Sequence, residues 1–421
     1  MRKLVALGLT VVVLTAVSTT EAAAPQAQLG PQAALGRRIF FDATLSASGK
    51  LSCSSCHDPA NAYAGDRPGL RTIPSLRYLS DTPRFARHTY IDVGSEREDI
   101  GPAGGLMLDG RADSLHEQAL VPLLDPVEMG NANIAAVATR LRHAPYAKEL
   151  TELAGAATAN SSAADTQRLV DAATAAIERF ELEDPSFHPY SSRFDDYLRG
   201  TASLSAQELE GFRLFTNPEK GNCIACHTAT TGPGGQAPIF TDHSYHSLGI
   251  PRNPAIPANT NPRFFDMGMC GPKRIDMKNE RQYCGYFKTP TLRNVTRRQF
   301  FFHNGRFTTL QDVMHFYVER DTDPRRWYPV VNGKVEKFDD LPGPYRGNVN
   351  ISDAPLNRER GQQPALDDTE IGKVIAFLGT LSDADQAPIA GFPCRSTPGK
   401  PVIRPRPEEP GLPDSHRGGS P

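Results

Sequence analysis

Apolar positions recur at helical spacing in several stretches of this 421-residue chain. Between Gln167 and Glu183, Leu169, Ala173, Ile177 and Phe180 share one face of an Ala-rich segment, which predicts a helix. Ile371, Val374, Ile375 and Leu378 repeat that pattern within Asp368 to Leu381. Two further helices are announced by a hydroxyl residue just after a Gly-Arg turn. Ser114 precedes Leu115, and Thr308 precedes Leu310, so each hydroxyl can cap a helix whose apolar face starts at the Leu. Amphipathic stretches also lead into two Cys-containing motifs. The fold class predicted is mainly α with long loops.

The two ends of the chain read differently. Arg2 and Lys3 precede an apolar run from Leu4 to Val17, and small residues follow at Ala22 to Ala24. That order is a secretory signal over residues 1–24, and the run is too short to span a bilayer. The expected location is the periplasm, without membrane insertion. Pro and Gly dominate the far end, so 395–421 is expected to be a disordered tail. The net charge of −2 removes any electrostatic case for nucleic acid or an anionic membrane as partner.

The chain contains an internal repeat. Copy one runs Leu35-Gly36-Arg37-Arg38-Ile39-Phe40, then Cys53-Ser54-Ser55-Cys56-His57, Pro74-Ser75-Leu76-Arg77 and Asp109-Gly110-Arg111. Copy two runs Glu210-Gly211-Phe212-Arg213-Leu214-Phe215, then Cys223-Ile224-Ala225-Cys226-His227, Pro290-Thr291-Leu292-Arg293 and Asn304-Gly305-Arg306. Cys-x-x-Cys-His is the signature of covalent haem c attachment: two thiols form thioethers with the vinyl groups, and the adjoining His binds iron. A bare Cys-x-x-Cys would also suit zinc or a redox dithiol. Two copies, both followed by His in an exported chain, favour two haems on Cys53/Cys56 and Cys223/Cys226. Of the remaining cysteines, Cys270 and Cys284 flank a polar loop and are expected to form a disulfide in an oxidising compartment. Cys394 is left over, either free or a competitor for one of those two.

The sixth iron position separates electron transfer from catalysis. His57 and His227 are the proximal candidates. After Gly305 the predicted helix offers Met314, His315 and Tyr317. Met314 and Tyr317 lie three apart on one face, and His315 points elsewhere. Core packing explains any of them equally well at this point. The matching helix of copy one has neither Met nor Tyr. It carries Gln118, is expected to end at Pro122, and is followed by a loop bearing Glu128. An amide, a proline and a carboxylate supply no strong iron ligand but do supply a proton acceptor, as peroxide cleavage requires. Taken alone, Glu128 reads more readily as a surface acid.

These motifs, in this order, resemble the bacterial dihaem cytochrome c peroxidase / MauG superfamily over Leu35 to Leu381. Leu35-Gly-Arg-Arg-Ile-Phe-Phe-Asp42, Gln118-Ala119, Pro126-Val-Glu-Met129 and Phe287-Lys-Thr-Pro-Thr-Leu-Arg-Asn294 carry the resemblance beside the haem motifs. It implies two tandem class I cytochrome c-like domains. The first, over 30–160, would hold the peroxidatic haem. A helical segment over 161–200 would connect it to the second, over 201–390, with the electron-transfer haem. It also implies that Glu128 is the catalytic carboxylate and that Gln118 and Pro122 complete the distal side. Counted from His303, the resemblance places the second-haem ligand at Tyr317, one helical turn past Met314. Members with Tyr there are MauG-type enzymes, including the MbnH branch, which oxidise residues of a partner protein or store two oxidising equivalents across both haems. Two departures stand out. Leu108 occupies the position of the usual inter-haem Trp, with Tyr90 in the 78–108 insert as a substitute charge carrier. Thr72 and Phe300 replace an Asn and a Pro near the family's calcium site, so one calcium ion is only weakly implied.

The expected function is therefore a periplasmic dihaem oxidoreductase that reacts with hydrogen peroxide at the N-terminal haem and passes electrons through a His227/Tyr317 haem to a protein substrate or small redox protein. A hydrogen peroxide scavenger fed by a small cytochrome is the second reading. A non-enzymatic dihaem electron carrier is the third.

Overall fold

The computed structural model describes residues 28–65, 69–93, 96–155, 162–232 and 234–384; the export signal, Cys394 and the 395–421 tail lie outside the described residues. Pro31, in the first turn, opens α1 (Pro31–Phe40) at a position where its missing N–H costs nothing. The Ser114 side chain caps α2 (Leu115–Leu124) by accepting from the Glu117 N–H at 3.1 Å. Contrary to expectation, Pro122 does not end α2. Its missing donor falls in the last turn, and the helix runs two residues further. Two short helices follow, α3 (Ile134–His143) and α4 (Ala147–Ala154). Next comes α5 (Ala163–Glu183), which begins four residues before the apolar stripe suggested. Ser162 and Asp165 form a capping box that sets its start.

The stretch expected to connect the halves thus contains α5, and α5 lies along α1. A Cβ on Gly36 would sit 1.8 Å from the Ala176 carbonyl oxygen, so the two helices cross in contact. Phe40 meets Phe180 edge-on at 5.5 Å and Tyr63 at 6.0 Å. The second half repeats the device. After α6 (Arg193–Leu198), α7 (Ala206–Thr216) crosses the last helix, with the Gly211 Cβ position 2.0 Å from the Lys373 carbonyl oxygen. Phe215 meets Phe377 at 5.2 Å and Phe240 at 6.1 Å. Between them lies α8 (Leu310–Glu319), capped by Thr309 rather than Thr308: the Thr309 hydroxyl accepts from the Asp312 N–H at 3.1 Å. The last helix is α9 (Asp368–Gly379), where Asp367 and Glu370 form the capping box.

Strand content is minor among the described residues. The insert after Tyr78 forms an antiparallel hairpin, β1 (Ala86–Val93) with β2 (Glu96–Ala103), and β3 (Tyr245–His246) pairs with β4 (Phe287–Lys288). Tyr90 is 46% exposed on that hairpin and lines neither of the cavities described below, so it is poorly placed to carry charge between them. Cys270 and Cys284 form a disulfide with Cα atoms 5.0 Å apart.

Long-range polar contacts lock the two halves. Arg77 donates to Asp383 at 3.1 Å, and the Tyr78 hydroxyl donates to the same carboxylate at 2.7 Å. Asn294 adds a third donor at 2.6 Å, and buried Arg293 pairs with Asp195 at 2.6 Å. Nearer the hairpin, Arg71 bridges Asp109 at 2.7 Å and Asp266 at 2.6 Å.

Candidate functional site

Both Cys-x-x-Cys-His motifs adopt one backbone form. Cys53–Ser55 and Cys223–Ala225 are single 3-10 turns, and each following His N–H donates to the first Cys carbonyl, at 2.9 Å for His57 and 2.8 Å for His227. In the second motif the winding brings both thiols and the imidazole to one cavity. Each His is then held at Nδ1 by a backbone carbonyl, Tyr63 for His57 and Phe240 for His227, both at 3.0 Å. With Nδ1 engaged, Nε2 is the nitrogen presented to an iron. Burial pulls His57 down to about 4 and lowers His227 as well, so both rings are neutral at physiological pH, as a ligand must be. Burial pushes the Cys53, Cys223 and Cys226 thiols up to about 12. Thiols that stay protonated are poor zinc ligands and poor redox nucleophiles. Covalent attachment to a vinyl group suits them better.

The second site is an apolar cavity. Cys223, Cys226 and His227 enter from one side, and Met314 and Tyr317 from α8. His315 points away, with Nδ1 3.0 Å from Glu319. Burial raises the Tyr317 phenol above its ordinary value. A phenol this hard to ionise becomes an oxyanion ligand only when a cation compensates it, which a ferric haem would do. Phe302 and Phe316 flank the Tyr317 ring at 5.6 and 6.4 Å. The walls, cysteines and imidazole fit a haem c.

The first site is more polar. Gln118 is buried on α2 and lines a cavity at the seam between the halves, whereas Cys53, Cys56, His57, Pro122 and Glu128 are not among the residues lining it. Pro122 sits one turn further along α2, and its carbonyl accepts from the Met129 N–H at 3.1 Å. Glu128 stands on the tight turn that follows. The Asp125 carbonyl accepts from the Glu128 and Gly130 N–H groups at 3.0 and 2.9 Å, and Asn131 donates to the Leu45 and Leu123 carbonyls. The turn is therefore rigid. The Glu128 carboxylate itself makes no hydrogen bond or ion pair among the described residues. The Glu128 side chain is exposed on the turn; the partial desolvation there, then the neighbouring Asp125 charge, raises its affinity for a proton, and Lys273 and Arg111 oppose the rise. An unengaged carboxylate with a raised proton affinity is suited to proton exchange.

Several participants were not legible in the sequence. Lys273, inside the disulfide loop of the second half, forms an ion pair with Asp125 beside Glu128. Glu181 of α5 is 5% exposed, has an oxygen without a hydrogen-bond partner, and lies close enough to Cys53 to raise its thiol. Only its wrong-face polarity on an apolar helix could have signalled it. Arg298 lines both cavities, and no local pattern distinguishes it from Arg297.

Residues 31–203 match the family model described as di-haem cytochrome c peroxidase. The methylamine utilization protein MauG of Paracoccus denitrificans is 31% identical over 408 residues, spanning 92% of this chain and 97% of that protein. The chain belongs to the di-haem cytochrome c peroxidase / MauG family. Among solved structures, the diheme peroxidase BthA from Burkholderia thailandensis is 39% identical, with a TM-score of 0.72, covering 85% of this chain and 87% of that one. Cytochrome c551 peroxidase of Nitrosomonas europaea is 27% identical across 83% of this chain and 79% of its own length. The protein is therefore a peroxidase-type oxidoreductase of a di-haem family, and its mainly helical fold agrees with the fold of those neighbours. Among the described residues no helix is long and apolar enough to cross a membrane.

Proposed function

We propose that this chain is an exported, periplasmic MauG-like enzyme that reacts with hydrogen peroxide at its N-terminal site and oxidises a partner protein through its C-terminal site. Each half is read as a class I cytochrome c-like unit; the repeated glycine-mediated helix crossing and the repeated His-to-carbonyl bond support this. Haem c bound at Cys53/Cys56/His57 and Cys223/Cys226/His227 supplies the redox chemistry. The observation that carries the reading is the asymmetry of the two sites: Tyr317 shares an apolar cavity with His227, whereas the first half offers Gln118, Pro122 and an unengaged Glu128.

The chain's own residues handle protons and position. Glu128 accepts the proton of one peroxide oxygen and returns it to the leaving oxygen. Gln118 orients the peroxide through its amide and cannot act as a base at neutral pH. Lys273 and Arg111 oppose the rise in the Glu128 affinity for protons. Tyr317 would give a haem held at His227 a hard oxygen ligand, which would favour oxidised states.

The similarity to cytochrome c551 peroxidase, together with Met314 in the second cavity, favours a scavenger as the second reading. A peroxide titration followed optically separates the readings. A MauG-like enzyme forms a persistent oxidised state with peroxide alone. A scavenger turns over only when a reduced small cytochrome is supplied. A simple electron carrier reacts slowly in both arms, and that result would overturn the enzymatic reading.

A further inference from the structure

A thin wall separates the two cavities. Pro74, Leu108, Lys288, Thr289 and Arg298 line both of them, and no acidic residue does. The wall is closed by direct protein contacts. The Thr72 hydroxyl donates to the Phe302 carbonyl and the Thr72 N–H to the His303 carbonyl, both at 2.8 Å. Next to that staple, Arg298 Nη2 donates to the Ile73 carbonyl at 3.2 Å, and no carboxylate among the described residues pairs with it. Burial alone acts on its guanidinium and pulls it down to about 10. Its charge is close enough to His57 to disfavour protonation of that ring. Lys288, the other cation of the wall, donates to the Gly105 carbonyl, and burial pulls it down to about 7. Arg298 is therefore the cation of this wall that stays charged across the neutral range.

A partly buried guanidinium without an anion is costly. Its five donors match carboxylates in a planar, paired geometry. The anions available at this place are the propionate carboxylates that every haem c carries. The carbonyls of Phe302 and His303 are already engaged by Thr72, which leaves a bridging metal ion fewer oxygens. We infer that Arg298 is the fixed cation of the inter-haem wall: it pairs with haem propionate carboxylate and makes a divalent metal ion at this wall unnecessary. This rests on haem at both Cys-x-x-Cys-His motifs, as proposed above.

The test uses full-length holoprotein and measures metal content and potentials, neither of which depends on peroxide chemistry. Two irons per chain check haem loading separately. After dialysis, elemental analysis should find no stoichiometric calcium, and EGTA should leave the optical and electron paramagnetic resonance spectra unchanged. One calcium per chain, or an EGTA-induced spectral change, would overturn the metal-free wall. A positive charge beside a haem stabilises the reduced state, so Arg298→Gln should move at least one midpoint potential to more negative values. Arg298→Lys, which keeps the charge, should stay near wild type. If Arg298→Gln loads two haems at wild-type potentials, the propionate pairing is wrong. Should that variant fail to load haem, a wild-type-like Arg298→Lys supports the charge role. An Arg298→Lys shift as large as removal of the charge would produce refutes it.

Discussion

Glu128 and Glu181 are two carboxylates whose proton affinity the fold raises in different settings, one exposed and one buried. Glu128 stands on a rigid turn, with Lys273 and Arg111 near enough to moderate its raised proton affinity. Glu128→Gln keeps the shape and removes the titratable group. Peroxide reactivity in stopped-flow mixing should fall by about 10²–10⁴-fold, with both haems loaded. Glu181 is buried against the first site, and burial, then Glu178, raises it from 4.5 to about 8. In that window the folded chain holds a proton that the unfolded chain has released. Its contribution is therefore most favourable below 4.5, and stability is lost as pH rises from there toward 8. At about 1.4 kcal/mol per pH unit, the ceiling is on the order of 5 kcal/mol. Glu181→Gln should gain stability over wild type between pH 5 and pH 8 in thermal unfolding; a constant difference would show that Glu181 does not titrate there. On the ligand side, Tyr317→Phe should convert one low-spin haem signal to high spin in electron paramagnetic resonance. The same change from Met314→Leu, with Tyr317→Phe silent, would transfer the ligand role to Met314.

At the scale of elements, each half depends on a glycine at a helix crossing. Gly211 lets α7 touch α9 at the Lys373 carbonyl, whereas Gly372 of α9 has nothing within 4 Å of its Cβ position. The two glycines should respond to the same substitution with opposite signs. Gly211→Ala forces backbone against backbone and should cost about 1–3 kcal/mol or more. Gly372→Ala, in helical backbone with open space, should stabilise by roughly 0.5–1 kcal/mol. Thermal unfolding of the two variants side by side checks the crossing. The amphipathic stripes of α5 and α9 were visible along the chain. Their starts were set by the Ser162–Asp165 and Asp367–Glu370 boxes, local signals that a stripe does not report. The docking of α5 onto α1 was not visible, because an apolar stripe says that a face is covered and not by what.

At the scale of the molecule, the halves are joined by buried charge. Asp383 receives Arg77 and Tyr78 from the first half and Asn294 from the second. Removing it leaves Arg77 buried without this carboxylate, so Asp383→Ala should cost about 3–5 kcal/mol. A split of the single thermal transition into two would show that this carboxylate couples the halves. A fall of under about 1 kcal/mol would mean that water reaches the arginines once the carboxylate is gone.

The sequence by itself determined what is local. A haem attachment motif is complete in five residues, because thiols and imidazole are brought together by one turn of backbone. Caps act over three residues and stripes over a few turns, so the mainly helical fold, the repeat and the paired haem motifs were all readable. Tertiary structure decided what depends on distance. Lys273 reaches Asp125 across 148 positions, Thr72 reaches the Phe302 carbonyl across 230, and Arg298 reaches the Ile73 carbonyl across 225. No periodicity encodes such pairs: they follow from how two separately patterned halves pack. Burial, which raises the proton affinity of Glu181 and Tyr317, likewise exists only once that packing has removed water from around them.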